Sequence, residues 1–209
     1  MNDKNKKNPI YSANIPSHEE NLGTKRVFIA GAGGLGSNVA VMLLRSGLTN
    51  MIIADFDVVN FSNLNRQYYF QDEVGKKKVL ALKDRLLEIN PEAKITALDA
   101  KLTPENFADL IPNDVDIIFE CFDNGECKAQ LANFAVTERN HIPTMAVSGI
   151  GGDGALSEIK LQNKRFNLYI FGDGSSEVTN ESGVMITRVL AAVNLQVHTA
   201  LAILLKDIR

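Results

Sequence analysis

Five stretches carry groups able to handle an anion: GAGGLGSN at 31–38, Asp55, SNLNRQ at 62–67, the lysine run 76–78, and Asp123. The spacing Gly31-x-Gly33-x-x-Gly36 follows the apolar run VFIA (27–30) and leads into the helical-looking run SNVAVMLLRSG. Such a loop bares backbone amides and a helix N-terminus to an anion, its glycines allowing a tight turn and a close approach. Asp55 ends the next apolar run, 19 residues after Gly36. There a carboxylate can accept hydrogen bonds from the ribose hydroxyls of a nucleotide lying on the loop. The plainer reading is a strand-end turn aspartate. On these two features NAD and ATP are served equally.

The stretch DFDVVNFSNLNRQYYF (55–70) separates the two. Hydride transfer needs flat apolar room and a proton donor, whereas polar and cationic groups crowd in here. Asn63, Arg66 and Gln67 can bind phosphate oxygens, the arginine with a planar fork. Lys76, Lys77 and Lys78 fall in the first turn of a helix expected over 75–89, where positive charge opposes the macrodipole by about 0.3–1 kcal/mol each. A bound polyphosphate would remove that conflict, so one of the three is read as a ligand and at least Lys76 or Lys77 as solvated. Asp123 follows VDIIFECF at the carboxyl edge of an expected strand. It suits either an Mg²⁺ ion shared with phosphates or the cap of a helix beginning near Gly125, and position alone does not choose.

The elements that must hold these groups alternate in the manner of parallel strands joined by crossover helices. Strands are expected near 26–30, 50–55, 94–98, 115–120 and 142–147, and helices near 35–46, 75–89, 104–110 and 125–139. Gly47, Pro91 and the pair Thr103-Pro104 punctuate the helices. After Ser148 come a Gly-rich loop, the alternating runs ALSEIKL and FNLYIF, the polar loop GDGSSEVTNESG and a long apolar helix. We expect added antiparallel strands on the same sheet. A mobile segment over 1–16 and one domain over 17–209 are expected, with Ser17-x-x-Glu20 as a capping box.

The 209 residues are 45% hydrophobic and 22% charged, the balance of a folded globular chain, and the net charge of -3 gives no electrostatic reason to expect nucleic acid as the main partner. Cys121 and Cys127 have five residues between them, which fits neither a disulfide framework nor a Cys-x-x-Cys zinc site. Both are read as packing residues, and a reducing cytoplasm is the expected compartment. The N-terminus lacks the apolar core of a signal peptide. The segment 189–205 carries Asn194, Gln196, His198 and Thr199, so a buried helix explains it better than a membrane span. His18, His141 and His198 are too scattered to suggest a metal site.

Taken in order, GAGGLG, DFDVVNFSNLNRQ, VGKKK and FDN resemble the ThiF/MoeB family of adenylyltransferases related to ubiquitin-activating enzymes, over about Lys25 to Gly154. The tail resembles short ThiF-like proteins. The resemblance implies a Rossmann-like, mostly parallel sheet extended by antiparallel strands, in a homodimer. It also implies use of ATP and Mg²⁺ to adenylate the C-terminal glycine of a small ubiquitin-like sulfur carrier ending in Gly-Gly, with release of pyrophosphate, in thiamine biosynthesis or a similar pathway. By motif, Gly34 lies on the phosphate loop, Asp55 binds ribose, and Ser62, Asn63, Leu64, Asn65 and Arg66 form the nucleotide-binding turn. Arg66 is then the catalytic arginine, Lys78 the lysine singled out of its run, Asp123 the Mg²⁺ ligand, and Asn124 its companion.

The chain departs from longer members in lacking their zinc cysteines, their crossover-loop cysteine and a recognisable N-terminal arginine motif, so no zinc is expected. Arg188 is either a stand-in for that arginine or a surface or helix-start residue. The loop GDGSSEVTNESG either clamps the carrier tail or merely connects. Two other readings stay open: an NAD-dependent oxidoreductase, which leaves Arg66 and Lys78 without a task, and a non-catalytic nucleotide-binding scaffold.

Overall fold

The runs VFIA and MIIA are apolar at every position, which suits strands covered on both faces. In the computed structural model, which describes residues 8–15, 18–179 and 181–205, they form β1 (Arg26–Ala30) and β2 (Asn50–Asp55), parallel, with Phe28 opposite Ile52. A short helix, α1 (His18–Gly23), precedes them. β3 (Lys94–Asp99) lies parallel to β2, β4 (Ile117–Glu120) to β1, and β5 (Thr144–Val147) to β4. The hairpin of β6 (Lys160–Arg165) and β7 (Leu168–Gly172) completes the sheet. β7 is parallel to β5, and β6 is antiparallel to β7. The order is β3-β2-β1-β4-β5-β7-β6, a mostly parallel sheet extended at the C-terminal end as expected, with β6 as its antiparallel edge while β7 continues the parallel set.

Helices cover both faces because strand side chains alternate. Val27 and Ile29 join one apolar cluster with α2 (Gly34–Arg45), α3 (Lys78–Ile89) and α6 (Ile186–Leu204). Phe28 and Ala30 join a second with α4 (Phe107–Leu110) and α5 (Gly125–Glu138). Each large apolar side chain so buried stabilises the fold by roughly 1.5–3 kcal/mol relative to exposure. By length and composition α6 is apolar enough to cross a membrane, but Val189, Val193, Val197, Ala200 and Leu204 are buried in the first cluster.

Several boundaries differ from expectation for physical reasons. Only the last two residues of ALSEIKL are strand: Leu156–Glu158 form a 3-10 turn, and β6 lies on KLQNKR, all of it exposed. An edge strand with neither face covered needs no apolar alternation, so its sequence carries no strand signal. Phe166 and Asn167, read as the start of the next strand, are its hairpin turn, with φ of 51° and 59°. The helix expected from residue 75 begins at Lys78, because residues 75–78 first form a short ladder with 57–59 through Val58↔Lys77. The helix expected from 104 begins at Phe107, after a turn in which the Asn106 and Phe107 amides donate to the Thr103 carbonyl. Strands expected from 115 and 142 begin at Ile117 and Thr144. Within the segment expected to be mobile, Pro9–Tyr11 form a 3-10 turn that buries Tyr11. The capping box at Ser17 lies outside the described residues.

Candidate functional site at the carboxyl edge of the sheet

β1, β2 and β4 are parallel and in register at Ala30↔Ala54 and Ala30↔Glu120, so the segments that leave their carboxyl ends emerge at one edge. The glycine loop leaves β1, Asp55 closes β2, and Asp123 lies just past β4. In α/β sheets this is where ligands bind. Gly31, at φ 101°, donates its amide to the Ala54 carbonyl at 2.8 Å. A Cβ on Gly36 would sit 1.8 Å from the Gly31 oxygen, so helix and loop touch backbone to backbone. Gly33 and Gly34 are roomier, their nearest neighbours being Gln67 Nε2 at 3.9 Å and Arg66 Cγ at 3.5 Å. Gly33 caps α2 without a side chain, leaving the first-turn amides uncapped and open to an anion. Gly36→Ala should therefore displace the loop and lose any anion bound on it, whereas Gly33→Ala should keep most of that binding. Calorimetric titration checks the contrast.

Asp55 fastens this loop. Its Oδ2 accepts from the Ala32 amide at 2.6 Å and its Oδ1 from the Asp57 amide at 2.8 Å. The turn-aspartate reading is thus correct as far as it goes, and each oxygen retains a lone pair for a hydroxyl. Tyr69, buried, donates its hydroxyl to the Ala32 carbonyl at 2.7 Å and lies 3.3 Å from the Lys78 carbonyl. Burial, with the nearby Asp55 charge, pushes its phenol up, so it stays a donor.

The turn around Arg66 is held from α2. Asn38 Nδ2 donates to the Gly34 and Arg66 carbonyls at 2.7 and 2.9 Å, and Ser37 Oγ accepts from the Tyr68 amide at 2.9 Å. Asn63 Oδ1 accepts from the Asn60 amide, closing the 3-10 turn Phe61–Asn63. Arg66 Nη1 rests on the Ser62 carbonyl and Asn65 Oδ1, at 3.1 and 2.8 Å. Ser62 and Asn65 are exposed, while Leu64 packs against the main core. Gln67 is buried over Gly33, and its Oε1 has no hydrogen-bond partner among the described residues. Unmet hydrogen-bonding capacity beside an uncapped helix fits a polar ligand there.

The lysine run is sorted by the fold. Lys76 is exposed and precedes the helix; Lys77 Nζ meets Asp99 Oδ1 and the Phe56 carbonyl, both at 3.0 Å. Lys78 is buried and meets Asp57 Oδ2 at 2.9 Å. The expected conflict of three lysines with the macrodipole is therefore corrected: only Lys78 lies within the helix, and carboxylates offset the charge of Lys77 and Lys78.

At β4 the cap question resolves onto the neighbour. Asn124 Oδ1 accepts from the Glu126 and Cys127 amides at 2.9 and 3.0 Å, so Asn124 caps α5 and Asp123 is left exposed beside it. Glu120, buried at the end of β4, pairs with Lys128 at 3.1 Å; burial pushes its carboxyl up and the lysine pulls it back. Burial also raises the Cys121 thiol, with help from Glu120, which keeps it a protonated packing group. Among the described residues no three His, Cys, Asp or Glu side chains gather as a metal cluster.

Arg188 is the helix-start residue expected, buried rather than at the surface and not a free stand-in. It is 1% exposed in the first turn of α6, with Nη2 on Asp173 and Nη1 on the Ala155 carbonyl at 3.3 Å. The polar loop after β7 is laid along the Gly-rich loop after β5: Asp173 N donates to Gly149 O at 2.9 Å and Gly152 N to Gly183 O at 3.0 Å. Sequence reasoning missed Ser37, Asn38, Asp57, Tyr69 and this use of Arg188. Ser37 and Asn38 stand at the end of the run GAGGLGSN and read only as helix; the other three gave no local signal.

The ThiF family model matches residues 10–207. The chain is 31% identical over 191 residues to the molybdopterin-synthase adenylyltransferase of Escherichia coli, covering 89% of this chain and 75% of that protein. It is 39% identical over 142 residues to the sulfur carrier protein ThiS adenylyltransferase of Bacillus subtilis, covering 66% of this chain and 41% of that one. Of other curated relatives it spans 52% or 33% of the length. The solved E. coli tRNA N6-threonylcarbamoyladenosine dehydratase in complex with ATP superposes with a TM-score of 0.83 at 22% identity, over 95% of this chain and 93% of that one, a likeness of fold.

Proposed function

The chain belongs to the ThiF family, and from that membership we propose that it is an ATP-dependent adenylyltransferase acting on the C-terminal glycine carboxylate of a ubiquitin-like sulfur carrier protein. The observation that carries this reading is the junction at Ala32. Its amide is held by Asp55 and its carbonyl by Tyr69, which also lies on Lys78, so loop, ribose carboxylate and lysine are one hydrogen-bonded unit. The uncapped amides of α2 and the unmet Gln67 Oε1 fit a nucleotide polyphosphate with its sugar on Asp55.

In the reaction a carboxylate oxygen attacks the α-phosphorus and the bond to the bridging oxygen breaks, so that pyrophosphate leaves with that electron pair. The nucleophile is already ionised and no proton has to move. The obstacle is repulsion between anions and the charge growing on the leaving group. Arg66 and Lys78 would neutralise that charge by position, the largest usual source of catalysis in such transfers. Mg²⁺, when bound with the triphosphate, would add further neutralisation, and Asp123 is the residue that would hold it. The family resemblance further supports a homodimer, a ThiS-like carrier and a role in thiamine biosynthesis as the finer reading. An NAD-dependent oxidoreductase would leave the two cations without a task.

A second reading, activation of a carboxylate on modified tRNA, is supported by a sequence likeness, 31% identity over 147 residues, to the tRNA threonylcarbamoyladenosine dehydratase of Haemophilus influenzae. The net charge of -3 weighs against it. ATP–pyrophosphate exchange separates the readings. We expect exchange with a ThiS-like carrier ending in Gly-Gly, none with the same carrier lacking its last glycine, and none with tRNA bearing a carboxylate. Exchange driven by tRNA alone would replace the first reading with the second, and no exchange with either, despite ATP binding, would favour a non-catalytic scaffold.

A further inference from the structure

We propose that Asp57 is a positioning residue that sets the Lys78 ammonium for the nucleotide polyphosphate, an inference that rests on the ATP reading above. Asp57 is itself pinned at both backbone ends. Its amide donates to Asp55 Oδ1 at 2.8 Å and its carbonyl accepts the Lys78 amide at 2.9 Å. The ladder continues with Val59 N on Lys76 O at 2.9 Å and Gly75 N on Val59 O at 2.8 Å. A carboxylate on so fixed a backbone has little freedom, and its Oδ2 holds Lys78 Nζ at 2.9 Å.

The burial of the two partners is unequal. The Lys78 side chain is 7% exposed and that of Asp57 47%. A half-exposed carboxylate of this kind contributes little to folding, so stability does not account for the arrangement. Its effect is to hold the end of a flexible four-carbon chain at one point. It uses one of three ammonium hydrogens and leaves two for phosphate oxygens. The neighbouring lysine is sent elsewhere, to Asp99, so each lysine of the pair has its own carboxylate. Asp57 thus links the ribose carboxylate, through its amide, to the phosphate lysine, through its side chain. Asp57 touches no reacting atom and acts through Lys78.

The test is calorimetric titration of the full chain with Mg-ATP and, separately, with AMP. Asp57→Ala should weaken Mg-ATP about fivefold or more, the cost of ordering one freed side chain on binding, and leave AMP within about twofold. Asp57→Asn, which keeps an acceptor at the same point, should restore most of the affinity. In a Lys78→Met background Asp57→Ala should have no further effect, the mark of a residue acting through another. Asp57→Ser supplies a second truncation should the alanine variant fold poorly. Unchanged or tighter Mg-ATP binding in the truncations overturns the proposal, as does equal weakening of AMP or an undiminished effect in the Lys78→Met background. A wild-type protein that binds no Mg-ATP overturns the nucleotide reading itself, and this inference with it.

Discussion

Arg66→Ala and Lys78→Ala should each lower carrier-dependent ATP–pyrophosphate exchange by about 10²–10³-fold, the usual cost of removing one preplaced group from a developing charge, while folding survives. Arg66 lies on a turn whose shape is set by Asn63, Ser37 and Asn38 rather than by its own guanidinium. Removing its head group leaves those bonds intact. Lys78 is buried, but its partner Asp57 is half-exposed, so water can take over that carboxylate. The stability cost should be about 1 kcal/mol, mostly lost packing of the lysine stem. Exchange rates and melting curves measured on the same preparations check both halves. Near-normal exchange in both variants would sink the catalytic assignment, and collapse of the fold in either would show that the turn depends on the side chain removed.

Asp173→Ala should be the most damaging single change outside the core. It would leave Arg188 charged, 1% exposed and without its carboxylate. Breaking a buried pair from one side costs about 3–5 kcal/mol, which for a chain of this size lowers the melting temperature by roughly 6–20 °C. Arg188→Met with Asp173→Leu should recover much of the loss, because the desolvation penalty disappears with the charges. The pair also predicts an acid dependence. Burial works against the Asp173 charge, but hydrogen bonds from Ser176 and the Ser175 amide, with Arg188, hold its carboxyl well below the ordinary 3.8. A depressed folded-state value means a contribution fully present above the unfolded value and lost as pH falls through the folded one. The stability gap between wild type and Asp173→Asn should therefore shrink on acidification below about pH 4, as denaturant melts would show. A gap that stayed constant down to about pH 2 would mean that the pair contributes nothing through charge.

The parallel strands were legible because covering both faces demands apolar residues at every position, as in VFIA and MIIA. The glycine loop was legible because Gly36 meets the Gly31 carbonyl at a distance that admits no side chain. β6 was not legible, since an exposed edge strand imposes no pattern on KLQNKR. The cap of α5 was left open, because Asp and Asn have nearly equal cap preference, and backbone geometry alone selected Asn124 over Asp123. Arg188 was legible as a helix-start residue, but its burial was not, because an arginine in the first turn of a helix is ordinarily solvated and Asp173 is 15 residues away in a loop with no periodicity.

By itself the sequence determined the sheet's parallel core, the glycine turn after β1, and the presence of Asp55, Arg66, Lys78 and Asp123 beyond or at the ends of its elements. Those features obey local rules: burial sets periodicity, and tight turns set glycine. Only the tertiary structure decided which lysine meets which carboxylate, that Tyr69 and Asn38 lock the loop to the turn, and that Arg188 is buried. Each of these bonds joins residues between 9 and 37 positions apart. Their partners depend on how separate segments stack at one sheet edge, and no local spacing encodes that.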